Sequence, residues 1–235
     1  MEWYEELYFD ENPFDTNPKR FADKLVGLHD VLDELFYRVS AGSIVFIEGK
    51  DGFGKSSLLW NIIKKYKGKG KIIYVDCSAI SYDLNIEKLL INSQGLGGRL
   101  LRKMPQGMIL LLDNVNELSK TNTERVKFFF DQGYLRSVIM TGEALGKLKL
   151  SPSLVERIGK RIIKLKELDQ HQAVALVRHR IEDSEMIDDE LIQEVFKRSD
   201  KNPRKLLENL EKLFMHAVER NEEKLTKEHL KITGG

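Results

Sequence analysis

The apolar positions of the chain change their period once, and that change divides it. As far as Leu165, short continuous apolar runs such as "KIIYVD" and "MILLLD" alternate with helical patterns. Strands buried on both faces read as continuous rather than alternating hydrophobics, and their alternation with helices is the signature of a parallel sheet wrapped by helices. The pattern predicts strands at Ser43 to Ile47, Lys71 to Asp76, Met108 to Asp113, Ser137 to Thr141 and Arg161 to Leu165. From Asp169 onward the apolar residues recur at helical spacing. They run through Ala173, Leu176 and Val177, then Leu191, Ile192, Val195 and Phe196, then Leu206, Leu210, Leu213, Phe214 and Ala217, each set forming one apolar stripe. The expected organisation is an α/β core over 1–166 and an all-helical unit over 167–235, with the boundary near Glu167.

The strongest chemical signal lies between the first strand and the first good amphipathic helix. Gly49-Lys50-Asp51-Gly52-Phe53-Gly54-Lys55-Ser56 is a complete G-x-x-x-x-G-K-[ST] element between "SIVFIE" and "SLLWNIIKKY". Glycines let the backbone curl so that successive N–H groups face phosphate oxygens, and the helix N-terminus adds partial positive charge. Lys55 is expected to reach the β- and γ-phosphates, and the Ser56 hydroxyl to supply an oxygen ligand to Mg²⁺. The expected cofactors are ATP or ADP and Mg²⁺, held by Gly49, Asp51, Gly52, Phe53, Gly54, Lys55, Ser56 and Ser57. A glycine-rich surface turn with a chance Lys-Ser is the bland alternative, and both flanks speak against it.

Two later strand ends carry polar residues. Asp113 closes an apolar strand, where an acidic residue can hold Mg²⁺ at the carboxyl edge of a sheet, or simply cap the next helix. Thr141 ends the next strand. Its hydroxyl could meet the γ-phosphate or attacking water, and an ordinary strand or turn threonine is the other reading.

Composition narrows the class without naming a partner. Charged residues make up 32% and hydrophobic ones 41% of 235 residues, so a soluble globular protein with an ionic surface is expected. Lys+Arg 38 nearly cancel Asp+Glu 37, so net charge gives no argument for or against nucleic acid. One cysteine, Cys77, allows no internal disulfide and reads as a core thiol in a reducing interior. No run of about 18 apolar residues exists, and "MEWYEELYFDENPF" is the wrong chemistry for a signal peptide. A cytoplasmic protein without a membrane partner is expected.

Taken in order, the phosphate loop, "MILLLDNVNEL", "SVIMTGE", "SLVERIGKRIIKLKELD" and "KNPRKLLENL" resemble the AAA+ superfamily. The branch is that of origin-initiator ATPases and of transposition- and secretion-helper ATPases, and the likeness spans nearly the whole chain. "ENPF" and "LVGLHDVLDEL" are similar to the segment that precedes the P-loop in that branch and lines the adenine, here with Val26 and Gly27. The resemblance implies a three-layer αβα P-loop NTPase core with a central parallel sheet, followed by a small helical lid domain, with residues 1–28 lining the nucleotide site. It implies Lys55 and Ser56 as the Walker A pair, Asp113 as Walker B and Thr141 as the first sensor. Arg157 is then the finger offered to a neighbouring subunit, with Arg161 its rival, and Arg204, behind Pro203, the second sensor. A planar, permanently charged guanidinium suits such phosphate recognition. By spacing alone, Arg157 is equally a solvated surface residue.

The chain departs from that pattern in three places. Asn114 stands where relatives carry the glutamate that polarises the attacking water. An amide can orient water but cannot take its proton, so tight ATP binding with slow hydrolysis is expected. Glu117 is the candidate substitute. Leu28 replaces an arginine of the adenine side, and the sequence ends at "LKITGG", where initiators continue into a DNA-binding domain. The leading functional expectation is a homo-oligomeric ATPase that binds or remodels DNA, with Lys64 to Lys71 as a phosphate-contacting strip or an ordinary solvated loop. The alternative is an ATP-loaded adaptor that recruits a protein partner. A small-molecule kinase lacks an evident acceptor pocket.

Overall fold

The computed structural model describes residues 2–67, 71–79, 84–94, 104–182 and 184–232. Its contacts divide into an α/β unit, Asp30–Asp51 with Lys55–Leu165, and a helical unit, Met1–His29 with Gly52–Gly54 and Lys166–Gly235. In chain order the helices among the described residues begin with α1 (Trp3–Glu6), α2 (His29–Ala41), α3 (Lys55–Tyr66) and α4 (Ile86–Asn92). They continue with α5 (Lys120–Asp131), α6 (Pro152–Ile158), α7 (Gln170–Ile181), α8 (Asp189–Arg198) and α9 (Pro203–Glu219).

The α/β unit is built on strands β1 (Ile44–Glu48), β2 (Ile72–Asp76), β3 (Met108–Asp113), β4 (Leu135–Gly142) and β5 (Ile162–Lys164). They form one sheet in the order β2-β3-β4-β1-β5, and every pairing is parallel. All six residues of β3 are buried, as a central strand covered on both faces requires. Alternation assigns the faces. Ile44, Phe46, Leu110, Leu112, Val138 and Met140 share one core with Val126 and Phe129 of α5 and Leu154 and Ile158 of α6. Helix α3 packs on β3 and β4 through a buried stripe of Leu58, Leu59 and Ile62. Ser119 and Ser151 cap α5 and α6 by accepting from Asn122 and Leu154 N–H, and Pro152 supplies the preset first turn. At the sheet's edge β5 is shorter than its apolar run suggested, because only Phe46, Ile47 and Glu48 offer it partners.

The helical unit is stitched by local side-chain caps. Asp169 and Gln172 form a capping box at α7, Asp188 caps α8, and Asn202 caps α9 by accepting from Arg204 and Lys205 N–H. Val177, Leu191, Val195, Phe196, Leu206, Leu210, Leu213 and Phe214 close a continuous core. The segment 1–28, expected with the α/β core, groups instead with these helices, through Trp3, Phe14 and Phe21. The reason is aromatic: Phe14 is wholly buried, lies edge-on to Phe214 at 4.8 Å and stacks on Trp3 at 6.1 Å. A buried aromatic of this size is worth about 1.5–3 kcal/mol. Arg180 completes the clasp by donating to the Pro13 and Asp15 carbonyls, with its guanidinium 3.9 Å from the Phe21 ring centroid. Burial pulls its pKa down to about 10.

Candidate nucleotide site

The site of the α/β unit lies along the carboxyl ends of its strands. β1 ends at Glu48, and α3 begins at Lys55 after the glycine loop. The first four N–H groups of a helix have no partner within it. Gly49 N–H donates to the Gly142 carbonyl at 3.2 Å, which anchors the loop's first residue to the end of β4. A Cβ at Gly49 would stand 3.1 Å from the Leu165 Cβ, so the close approach depends on glycine. Lys55 is 6% exposed, and its Nζ donates to the carbonyls of Gly49 at 2.7 Å and Lys50 at 2.8 Å. The ammonium is thus folded over its own loop. Ser56 and Ser57 follow it, both half-buried, and Asp51 is exposed.

Gly52 and Gly54 have φ of +81° and +87°, a region that only glycine enters freely. By its contacts the tip Gly52–Gly54 groups with the helical unit, where a Cβ on Gly52 would fall 2.3 Å from Asn202 Oδ1 and 2.9 Å from Arg204 Cβ. Arg204 stands in the first turn of α9, half-buried. Phe53 is buried at 7% exposure, Gly54 approaches Leu28, and Gly27, at φ +71°, approaches Gln172 and Leu168. Val26 is half-buried.

Asp113 is the centre of a hydrogen-bond chain across three neighbouring strands. It is 2% exposed, and the wholly buried Thr141 donates its hydroxyl to Asp113 Oδ1. Thr141 Oγ1 in turn accepts the Asn114 backbone N–H at 2.9 Å, so its single proton is directed at the carboxylate. The other oxygen, Oδ2, accepts from the Tyr74 hydroxyl at 3.0 Å. Burial, then the negative charge of Asp113, raises the Tyr74 pKa far above the ordinary phenol value and keeps it a donor. Asn114 takes the left-handed backbone conformation, φ 55° and ψ 57°, which asparagine tolerates better than most residues. Its Nδ2 makes a long contact of 3.5 Å with Asp76 Oδ1, which also accepts Ser78 N–H and Oγ–H. Burial raises the Asp76 pKa, but those hydrogen bonds outweigh it and hold the carboxyl below its ordinary value. Glu117 is exposed on the short turn Val115–Glu117.

Tyr74 and Asp76 escaped the sequence reading. Both sit on β2, whose register with β3 sets Tyr74 beside Leu111 and Asp76 beside Asp113. A tyrosine inside an otherwise aliphatic strand was the available signal. Cys77 is 1% exposed, and burial, followed by the charges of Asp76 and Asp113, pushes its thiol up to about 12.

The arginines differ in their engagements. Arg157, half-exposed on α6, pairs with Asp131 at 2.8 Å and lies 5.5 Å from the Phe130 ring centroid. Arg161 donates from Nε to the Ile44 carbonyl at 3.2 Å and from its terminal nitrogen to the Arg157 carbonyl, and so serves the sheet edge. Of the basic strip, residues 68–70 lie outside the described residues. Lys65 Nζ stands 3.4 Å from the Phe36 ring centroid.

Within the α/β unit, the Ser56 hydroxyl, the buried Asp113 carboxylate and Lys55 are a donor set whose chemistry fits a magnesium-bound nucleotide. Magnesium keeps most of its waters and asks for one or two protein ligands plus phosphate oxygens. No cluster of three His, Cys, Asp or Glu able to hold a metal occurs among the described residues. Among the same residues no helix is long and apolar enough to cross a membrane.

The family model described as "AAA domain" matches residues 41–174. No curated protein matches the chain in sequence. Among solved structures, Cdc6p from Pyrobaculum aerophilum superposes with a TM-score of 0.76 at 16% identity, covering 96% of this chain and 70% of that one. The Aeropyrum pernix ORC1 protein, solved in complex with DNA, gives 0.72 at 17% identity, covering 89% and 65%. The RuvB Holliday junction branch migration motor of Thermotoga maritima gives 0.67 at 17%, covering 88% and 68%. These likenesses establish a shared P-loop fold, and the chain spans about two thirds of the length of each.

Proposed function

The chain belongs to the AAA domain family, and on that premise we propose that it binds Mg²⁺·ATP at the carboxyl edge of its sheet, hydrolyses it slowly and couples nucleotide state to self-assembly on DNA. The observation that carries the reading is the convergence on one sheet edge of Lys55, at the start of α3, with the buried Asp113 and Thr141 at the ends of adjacent strands. Lys55 exchanges its two carbonyl partners for phosphate oxygens, while the loop amides and the N-terminus of α3 complete the cradle. Ser56 and Asp113 are the groups that would hold magnesium, which when bound neutralises charge on the terminal phosphates. Thr141, whose hydroxyl bonds Asp113, is proposed as the sensor of the outermost phosphate, a role that requires its proton to turn from the carboxylate.

Slow turnover follows from position 114. Asn114 orients a water but has no basic oxygen able to take its proton, and the exposed Glu117 is not tied to Asp113. Steady-state hydrolysis is therefore expected below about 10 s⁻¹, the median enzyme turnover. Arg157 is proposed as the residue a neighbouring subunit receives, because its pair with Asp131 is half-exposed and cheap to break. Arg204 is proposed as the sensor of the helical unit. The DNA component is supported by the likeness of fold to ORC1, solved in complex with DNA, and to RuvB, a Holliday junction branch migration motor.

The test has two parts. Calorimetry with Mg²⁺·ATP is expected to show binding that Lys55→Ala weakens by about 10- to 100-fold, the worth of charge-assisted hydrogen bonds. Unchanged binding in Lys55→Ala rejects the site. Molecular mass is then measured with ATP, with ADP, and with ATP plus duplex DNA, on wild type and Arg157→Ala. ATP-dependent growth that Arg157→Ala abolishes supports assembly, and DNA binding is expected to weaken steeply with salt.

A further inference from the structure

Asp113 is gripped on both oxygens, and the two grips come from opposite neighbours. Thr141 reaches it from β4, and Tyr74 reaches it from β2 at 3.0 Å. A carboxylate can rotate about its terminal torsion unless both oxygens are held. The phenol ring that holds Oδ2 is itself packed on Trp60, with ring centroids 5.4 Å apart. Trp60 belongs to α3, four residues beyond Ser56 and hence one turn along the same face of that helix. Tyr74 therefore touches the Asp113 carboxylate at its hydroxyl and, at its ring, the helix that carries Ser56. The two side chains that would hold magnesium come from different elements, and this tyrosine stands between them.

We propose that Tyr74 is a positioning residue of the magnesium site, which fixes the Asp113 carboxylate and keeps it in register with α3. The inference rests on the nucleotide-binding reading of the same site and goes beyond it by giving a residue outside the phosphate loop control of metal affinity. Each carboxylate oxygen has two lone pairs, so the tyrosine's donation leaves Oδ2 able to accept from a magnesium-bound water. Partners behind a metal-binding group that are removed singly typically cost 10- to 100-fold in metal affinity.

The experiment uses Tyr74→Phe, which deletes one oxygen and retains the ring against Trp60. ATP affinity is measured across a magnesium titration and again in excess chelator, with the fluorescence of Trp60 read alongside in a Trp3→Phe background. In Tyr74→Phe the magnesium concentration for half-maximal binding is expected to rise about tenfold, while affinity for metal-free ATP stays within about twofold. Equal loss with and without metal would mean a general structural role and overturns the inference, as does an unchanged or tighter magnesium response. Wild-type protein that binds no ATP under either condition rejects the nucleotide-site reading itself. Lys55→Ala separates the cases, since it weakens ATP binding in the presence and absence of metal.

Discussion

The two units of the chain store their polar groups differently. Of the buried polar side chains among the described residues, Lys55, Asp113, Asn122, Thr123, Ser137, Thr141 and Ser151 belong to the α/β unit, and Ser199 alone to the helical one. Ser199 bonds back to the Val195 carbonyl one turn earlier and accepts from Asn209 Nδ2 at 2.9 Å, both within the same unit. The helical unit thus has an almost purely apolar interior, the cheapest way to hold three helices and an N-terminal arm together. In the α/β unit, burying a lysine and an aspartate carries a desolvation cost that only complete hydrogen bonding offsets. That cost falls on Lys55 and Asp113, the two charged residues of the proposed nucleotide site.

The contrast can be broken from either side. The largest expected effect is Phe214→Ala, which empties the centre of the helical core and removes the edge contact to Phe14. A loss of about 3–5 kcal/mol is expected by chemical denaturation, and a loss near zero would mean that the arm and helices are not held by packing. Next comes Cys77, which reports on the acidic edge of the other unit. Labelling by a thiol reagent at pH 8 is expected to be about 1,000-fold slower in the native than in the unfolded protein, because only thiolate reacts and burial raises the thiol from its ordinary 9.0 to about 12. The sign of its linkage is set by the raised value. The neutral thiol favours the fold below pH 9, and that contribution drains away as pH climbs from 9 toward 12.

Smaller effects sharpen the picture. Thr141→Val keeps volume but removes the donor to Asp113 and the acceptor of Asn114 N–H. About 1–3 kcal/mol of stability is expected to go, read by the same denaturation. The smallest change belongs to Arg157→Ala, whose exposed pair with Asp131 is worth about 1 kcal/mol or less in the monomer. The Lys127 hydrogen bond and then the Arg157 charge hold the Asp131 carboxyl below its ordinary value. Its contribution is therefore present above that ordinary value, near pH 4, and lost as pH falls below it. Acid titration of stability is expected to be slightly flatter in Arg157→Ala.

Much of this was legible in the chain because its signals are local. The run "MILLLD" is a central strand since six consecutive buried positions leave no other choice, and the glycine loop announces itself within eight residues. The caps of α5 to α9 are likewise short-range. Hidden from the sequence were features fixed by pairing across distance. Tyr74 meets Asp113 only because β2 and β3 align in parallel, 39 residues apart. The first 28 residues join the helical unit because Phe14 finds Phe214, and no local periodicity encodes that meeting. The left-handed backbone at Asn114 also belongs to this class. Its side chain is readable as an oddity, yet its conformation follows from the turn that carries the chain off β3.

The strand order has a consequence for the newborn chain. β1, from which the phosphate loop springs, pairs only with β4 and β5. At a translation speed of about 5–20 residues per second, roughly 5–20 s separate the synthesis of Glu48 from that of its partner Gly142. Throughout that interval the sticky segment "IVFI" leaves the ribosome without a sheet to join, an invitation to chaperones and to mispairing between nascent copies. The loop made first is thereby among the last parts to acquire its shape.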